Sequence, residues 1–447
     1  MSKFVVSDPS QRLLFSPDLR EWVPKDDLAH FILEAVKRVD LSRFKVNERG
    51  TGSPQYHPQM MLALLTYAYA NGVFSSRRIE RATYRDVGFR FLTTDLHPDH
   101  DTIAKFRREN AQAFQDCFVE ILLLAKELKL LKVGMVSVDG TKMDAHASKH
   151  QTVGSKRVDQ LRDQLSGEIG ELIEQAERAD QEDTPDPQQL PEELASLSKL
   201  KAKLDKAAAR LKQQTREQVE KAQREYKAKV EARDRNKHKG RKIKPPPEQP
   251  KEERTNLTDP DSRLMRKNKQ SEYRQAYNAQ AVVDADGSMM VLAGRVSQSA
   301  GDRYELVPDI EAIDDRVGQP KAILADSGYA NGAEIEKLQT PECEVLVAPH
   351  QTQRRRRHDF RPESKPRPPA RQTLAWVDAM NERLNSPEGH SKYRLRKQTV
   401  EPVFGIIKQV LGFRHFNLRG LAKVEAEWQL LLLAFNCKRL HRMMIAT

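Results

Sequence analysis

The stretch VGMVSVD, residues 133–139, changes the character of the chain. The residues before it read as helix. Here alternating β-branched residues run into Asp139 and then Gly140, the pattern of a buried strand with a carboxylate at its mouth. KAILAD, residues 321–326, repeats the pattern and ends on Asp326, before Ser327-Gly328-Tyr329. Ligands of α/β sheets gather at the carboxyl edge of the strands, so Asp139 and Asp326 are candidates for one site. A third acid, Glu401, lies in RKQTVEPVFGIIK, residues 396–408. A proline is tolerated only in the first turn of a helix, so Pro402 predicts a helix start near Thr399 or Val400. At ~100° per residue, Glu401, Gly405 and Lys408 share one face, and Val403, Ile406, Ile407 and Val410 share the opposite one. Gly405 costs ~1 kcal/mol in a helix interior unless something approaches closely.

Three carboxylates suit two hard divalent cations. Mg²⁺ takes oxygen ligands and keeps waters and substrate phosphates in its shell. Two such ions ~3.5–4 Å apart activate an attacking water or 3′-OH and stabilise the leaving oxygen of a phosphodiester. Lys408 lies about two turns from Glu401, within reach of a phosphate.

The charge distribution points to the same class of substrate. The chain of 447 residues has 76 Lys+Arg against 64 Asp+Glu, a net of +12. Residues 351–420 hold 16 basic and 6 acidic residues, net +10, and 199–244 hold 18 and 6, net +12, so the remainder is acidic on balance. Segregated basic stretches favour a polyanion, because neutralising phosphates releases counterions. The four adjacent residues Arg354, Arg355, Arg356 and Arg357 cannot share one helix face, which sets them apart from an ordinary solvated helix.

Other classes are excluded. No apolar run approaches the ~18 residues of a membrane helix, Leu430 to Phe435 being the strongest candidate. The N-terminal MSKFVVSDPSQRLLF has no apolar block of signal-peptide length. Cys117, Cys343 and Cys437 lie far apart and form no CxxC pair, which argues against zinc fingers and disulfides and for a reducing cytoplasm.

Residues 1–130 read as short helices joined by tight turns. Leu28 to Val39 carries one helical stripe, and Gln59–Ala70 forms a helix ended by Asn71-Gly72. Ser75-Ser76 caps a helix through Tyr84, Asp101-Thr102 caps Ile103–Asn110, and a longer apolar helix covers 113–131. With Arg77, Arg78, Arg81, Lys105, Arg107 and Arg108 exposed, this is compatible with a helix-turn-helix-like DNA-binding module. Residues 151–255 carry two helical stripes, Leu161 to Ala176 and Leu190 to Tyr226, joined at Thr184–Pro187. They predict a helical hairpin or coiled coil that decays into the basic tail RNKHKGRKIKPPPEQPKEE. Beyond it, Tyr277–Val283 and Met289–Val296 flank the hairpin turn Asp286-Gly287. A helix over 304–317, a strand over 342–348, a basic proline-rich loop over 351–371 and helices near 372–385, 399–411 and 421–443 complete the expectation.

VSVDGTKM (136–143), ILADSGYAN (323–331) and TVEPVFGIIK (399–408) resemble the three catalytic blocks of DDE transposases of bacterial insertion sequences, in the branch with an insertion-sequence-four-like core. HPQMMLALLTYAYANGVFSSRRIE, DHDTIAKFRREN, LTDPDSRLM and YNAQAVVD are also similar to that family, so the resemblance covers most of the chain outside 151–255. It implies an α/β fold with a ribonuclease H-like catalytic core, an N-terminal all-α domain and a helical, coiled-coil-like insertion after the first core strand. The domains would be 1–130, 131–150 plus 256–447, and 151–255. It implies Asp139 on the first core strand, Asp326 on the fourth and Glu401 on the last core helix, as catalytic residues and ligands of two Mg²⁺ ions, with Mn²⁺ able to substitute. It also implies cutting at terminal inverted repeats and joining to target DNA, by a homodimer in the DNA complex. Such an enzyme works in the bacterial cytoplasm, associated with the nucleoid when acting, with no membrane partner.

The family often shows Tyr, two residues, Arg, three residues, Glu, six residues, Lys. Glu401 and Lys408 keep the last spacing. Counting back from Glu401 puts Lys397 at the Arg position and Arg394 at the Tyr position, with Tyr393 and Arg396 each displaced by one. Lys408, Lys397, Arg394 and Arg354–Arg357 are the DNA-contacting candidates. A repurposed transposase, acting as a metal-dependent nuclease or as a non-catalytic DNA-binding protein, is the alternative.

Overall fold

The computed structural model describes residues 18–46, 54–181, 190–235, 245–246, 253–266, 270–349 and 374–446. The expected turn at Thr184–Pro187, most of the basic tail, the loop 351–371 and Arg354–Arg357 lie outside the described residues. In chain order the elements are α1 (Leu19–Trp22), α2 (Leu28–Val36), α3 (Pro58–Ala70), α4 (Ser76–Arg85), α5 (Val87–Leu92), α6 (His100–Glu109), α7 (Ala111–Glu127), β1 (Met135–Asp144), β2 (Thr152–Gly154), α8 (Ser155–Gln181) and α9 (Leu190–Arg235). There follow β3 (Arg254–Asn256), β4 (Arg263–Met265), β5 (Arg274–Asp284), β6 (Val291–Ser297), α10 (Leu306–Glu311), β7 (Ala322–Ala325), α11 (Gly332–Leu338), β8 (Glu344–Val347), α12 (Ala375–Asn385), α13 (Pro387–Gly405) and α14 (Leu421–Ala446). None of the helices described is long and apolar enough to cross a membrane.

The chain divides into two compact units. The first comprises Met1–Met143, Asn278–Leu418 and Ala422–Thr447. Its sheet runs in the order β6-β5-β1-β7-β8. β1, β7 and β8 are parallel neighbours, and β5 and β6 form the antiparallel hairpin expected around Asp286-Gly287. Gly287 has φ +115°, a backbone that favours glycine. Asn436 of α14 clamps β6, its Oδ1 accepting from Val291 N at 2.9 Å and its Nδ2 donating to Val291 O at 2.8 Å. At Gly294 a Cβ would collide with Leu432 and lie 2.8 Å from Trp428 Nε1, so this glycine lets α14 lie close against the strand.

The helical N-terminal part belongs to the same unit. Met61 to Ala70 of α3 are all buried, so this helix packs on every side. Its polar contacts run to α6 and α14. Buried Glu427 accepts hydrogen bonds from Tyr69 OH (3.0 Å), Asn417 N (2.8 Å) and Leu418 N (2.9 Å). Arg107 Nη1 donates to Tyr69 OH at 2.9 Å and to Phe74 O at 2.8 Å. Arg107 is therefore buried, which corrects its reading as a surface arginine, while Arg77, Arg78, Arg81, Lys105 and Arg108 are exposed. The cap of α6 is Asp99, whose carboxylate accepts from Asp101 N and Thr102 N, rather than Asp101-Thr102 themselves. α10 is also shorter than the helix expected over 304–317.

The second unit comprises Asp144–Tyr277 and Arg419–Leu421. Helices α8 and α9 pack on one another, and β2 pairs with β3. Val153, Val158, Leu165, Leu204, Ala207, Ala208 and Leu211 form its buried cluster. Arg162 bridges to Asp205 at 2.6 Å beside it. The apolar packing is shorter than the predicted stripes, because Ile173 and Leu200 are exposed.

Candidate active site

Strand pairing sets the two aspartates side by side. The last rung between the parallel strands β1 and β7 is Val138–Ala325, so Asp139 and Asp326 are the next residues on adjacent strands. β7 stops there. The Asp326 carboxylate accepts from Gly328 N at 2.7 Å and caps the turn Ser327–Tyr329. β1 does not stop. It continues to Asp144, so Asp139 lies within a strand rather than at its mouth. Its Oδ1 accepts from Gly140 N at 2.8 Å. Burial and the neighbouring Asp326 charge push the Asp139 carboxyl up to about 7, against the lowering effects of Gly140 N–H and Arg396.

Glu401 comes from α13, which differs from its prediction. The helix starts at Pro387, capped by Ser386, and carries Pro402 in its interior. Pro402 and the preceding turn's Gln398 are both exposed, so the Gln398 carbonyl left without an N–H partner can turn to water. The helix passes at Gly405 into a π-helical turn, Ile406–Val410, closed by Leu411 N donating to Ile406 O at 2.9 Å. The wider turn accommodates one more residue. Val410, expected on the apolar face, is consequently 69 % exposed, and Leu411 is buried instead. Upstream the facing is as expected. Val403 and Ile407 are buried, and Glu401 and Gly405 are exposed. A Cβ on Gly405 would have no neighbour within 4 Å among the described residues.

The buried stripe of α13 continues backward from Ile407 through Val403 and Val400 to Arg396. Arg396 thus points inward, with Nη1 4.0 Å from Asp139 Oδ2 and Nη2 3.5 Å from Glu401 Oε1. One guanidinium spans the first and third acids, and its buried Nε has no hydrogen-bond partner among the described residues. Tyr393 OH donates to Ala325 O at 3.2 Å, the carbonyl just before Asp326. Counting from Glu401 selected Lys397 and Arg394, yet both are exposed. Counting along the apolar stripe in steps of four and three selects Arg396 and Tyr393. Lys408 is half-buried and donates to Thr141 Oγ1 and Lys142 O of β1. Arg354–Arg357 lie outside the described residues.

Sequence reading missed a fourth carboxylate, Asp302, in the loop after β6. It accepts from the side-chain amides of Asn278 and Gln280 at 2.7 and 2.9 Å. Its charge, too, raises the Asp139 carboxyl. Asp302 stands 24 residues before Asp326 with no strand pattern leading into it, so only the folded backbone reveals it.

The donor set of Asp139, Asp326 and Glu401 is all carboxylate oxygen, which suits Mg²⁺ or Mn²⁺ rather than a thiolate- or imidazole-seeking metal. Among the described residues no three metal-ligating side chains are gathered into a finished cage. The Glu401 carboxylate lies against Arg396 instead.

Two family models match the chain. One, described as the transposase DDE domain, matches residues 250–437, and another, described as a transposase domain (DUF772), matches residues 17–109. No curated protein and no solved structure matches it. The first match contains Asp326, Glu401 and Lys408. Asp139 precedes it by more than a hundred residues, and the strand register brings Asp139 beside Asp326.

Proposed function

We propose that this chain, which matches a transposase DDE domain over residues 250–437 and a transposase domain over 17–109, is the DDE transposase of an insertion sequence, and that it cuts the inverted-repeat ends of its element and joins them to target DNA through Asp139, Asp326 and Glu401. The observation that carries this reading is the rung Val138–Ala325, which leaves two catalytic-block aspartates adjacent on parallel strands. The strand order β6-β5-β1-β7-β8 supports a ribonuclease H-like core, with Asp139 on the first strand of the first unit and Asp326 directly after the fourth.

Asp139, Asp326 and Glu401 would hold divalent cations, Mg²⁺ first. Cations bound there polarise the scissile phosphate and lower the pKa of the attacking hydroxyl or water. The chain's own residues do the rest. Arg396 holds the Asp139 and Glu401 side chains toward one another against their mutual repulsion. Tyr393 fixes the backbone that presents Asp326. Lys408, bonded to Thr141 and Lys142 on the strand that carries Asp139, would bind a DNA phosphate as a point charge. The attacking oxygen bonds to phosphorus as the P–O3′ bond breaks, and the departing 3′ oxygen takes up a proton. In strand transfer that freed 3′-OH is the next attacking group. The exposed arginines of α4, with Lys105 and Arg108 of α6, would engage the DNA ends. Two ends call for two copies, hence a homodimer on DNA.

Asp139→Ala, Asp326→Ala and Glu401→Ala should each abolish cleavage of an end-bearing duplex in Mg²⁺ while leaving DNA binding within about threefold, since none removes a phosphate anchor. Near wild-type cleavage by any one of them excludes that residue from the site.

A further inference from the structure

Asp302 lies against both backbones that carry the catalytic aspartates. A Cβ on Gly140, the residue after Asp139, would sit 2.8 Å from Asp302 Oδ1 and would collide with the Gln280 amide. A Cβ on Gly328, two residues after Asp326, would sit 3.3 Å from Asp302 Oδ2. Both glycines leave room for the same carboxylate. Asn278 and Gln280 alternate along β5, so their side chains emerge on one face, and both donate to Asp302 Oδ1. They are 2 % and 0 % exposed. A buried carboxamide must satisfy both its ends. The Gln280 Nε2 end goes to Asp302, and its Oε1 end accepts from the buried Tyr329 hydroxyl. Tyr329 closes the turn that Asp326 caps. The Gln280 backbone is itself held, its carbonyl accepting from Trp428 Nε1 at 3.0 Å. The connected path therefore runs from Asp302 through Gln280 to Tyr329 and the Asp326 turn, with Gly140 and Asp139 resting on its flank.

We propose that Asp302 is a positioning residue for the cation-holding pair: by accepting from Asn278 and Gln280 it fixes the separation and orientation of the Asp139 and Asp326 backbones. This rests on the reading of Asp139, Asp326 and Glu401 as cation ligands. Residues that orient ligands typically matter 10–100-fold in metal affinity when removed. The role lies in hydrogen-bond acceptance, so an asparagine, whose Oδ1 accepts from the same two amides, should perform it and an alanine should not.

The test measures Mn²⁺ binding to the full-length protein by electron paramagnetic resonance, without DNA, alongside thermal unfolding. Asp302→Ala should weaken Mn²⁺ binding at least tenfold, and Asp302→Asn less than about threefold. Tyr329→Phe removes only the far link of the path and should weaken binding by an intermediate factor. Combined with Asp302→Ala it should add less than its separate effect. Should Asp302→Ala fail to fold, Asp302→Asn and Tyr329→Phe still decide the matter. Unchanged binding in Tyr329→Phe, or in a folded Asp302→Ala, overturns the proposal. So does a loss in Asp302→Asn as deep as in Asp302→Ala, which would make Asp302 a ligand through its charge. Asp139→Ala serves as the control. If it too binds Mn²⁺ normally, the site assignment itself falls. If it loses binding while Asp302→Ala does not, only the role of Asp302 falls.

Discussion

Asp139→Asn should stabilise the protein when divalent cations are absent. The Asp139 carboxyl is raised from 3.8 to about 7, first by burial and then by Asp326. A difference of that size corresponds to a ceiling of ~4 kcal/mol against the ionised form. The side chain is 22 % exposed, and solvent and relaxation reduce the ceiling to about 1–3 kcal/mol. Asparagine keeps the acceptor for Gly140 N–H and brings an amide N–H in place of the negative charge beside Asp326. The pH dependence follows from the raised value. Between about 4 and about 7 the folded protein keeps a proton on Asp139 that the unfolded chain releases, so the folded state loses ground as pH rises through that window and no further above it. The advantage of Asn over Asp should therefore be near zero at pH 4 and complete by pH 8. For a unit of roughly 300 residues, ~1.5 °C per kcal/mol gives a rise of about 2–5 °C in Tm. Thermal unfolding in EDTA at pH 5 and pH 8 measures it. Excess Mg²⁺ should shrink or reverse the difference, because the cation binds the folded wild type and not the variant. An Asn variant no more stable than wild type at pH 8 in EDTA, or one with the same advantage at both pH values, would refute the assignment of Asp139 to a cation-deprived acidic pair.

Glu427→Leu should cost about 3–5 kcal/mol in chemical denaturation, since it takes a nearby negative charge from buried Arg107 and strands Tyr69 OH and two backbone N–H groups; a cost under about 1 kcal/mol would mean that water replaces the carboxylate. Gly405→Leu should fold at least as well as wild type, because its Cβ meets nothing within 4 Å among the described residues and Leu is the better helix former by ~1 kcal/mol. It should nonetheless impair cleavage of DNA ends by crowding the face that bears Glu401, and loss of folding would show this face packed on protein. Lys408→Ala and Lys408→Gln should both weaken DNA-end binding and lower the salt slope by about one; an unchanged slope confines Lys408 to its bonds with β1. Replacing 154–250 by a short Gly/Ser linker should leave the first unit folded by circular dichroism and impair paired-end assembly at high salt more than nicking of a single end; equal loss of both, with the remainder unfolded, would make the insertion part of the core.

The elements that carry the candidate acids were legible in local sequence. Alternating apolar runs ending on Asp139 and Asp326 announce strands because a period of two needs only neighbouring residues to be read. The Asp286-Gly287 turn, the α3 helix and the opposed faces of Glu401 and Val403 were legible for the same reason. What failed was information carried by distant partners. Pro402 reads as a helix start, yet tertiary packing of the Arg396–Val400–Val403–Ile407 stripe holds the helix together through it. The π-helical turn that rotates Val410 into solvent has no local signature. Arg107 looks like any surface arginine until Tyr69 and Glu427, far away in sequence, close around it. An aspartate directly after each apolar run, Val136–Val138 and Ala322–Ala325, is determined by sequence. Their adjacency is a matter of register between β1 and β7, and register depends on how the whole sheet buries its faces. Asp302 belongs wholly to the tertiary structure, because a loop carboxylate acquires a role only when folding lays two glycine backbones and two buried amides against it.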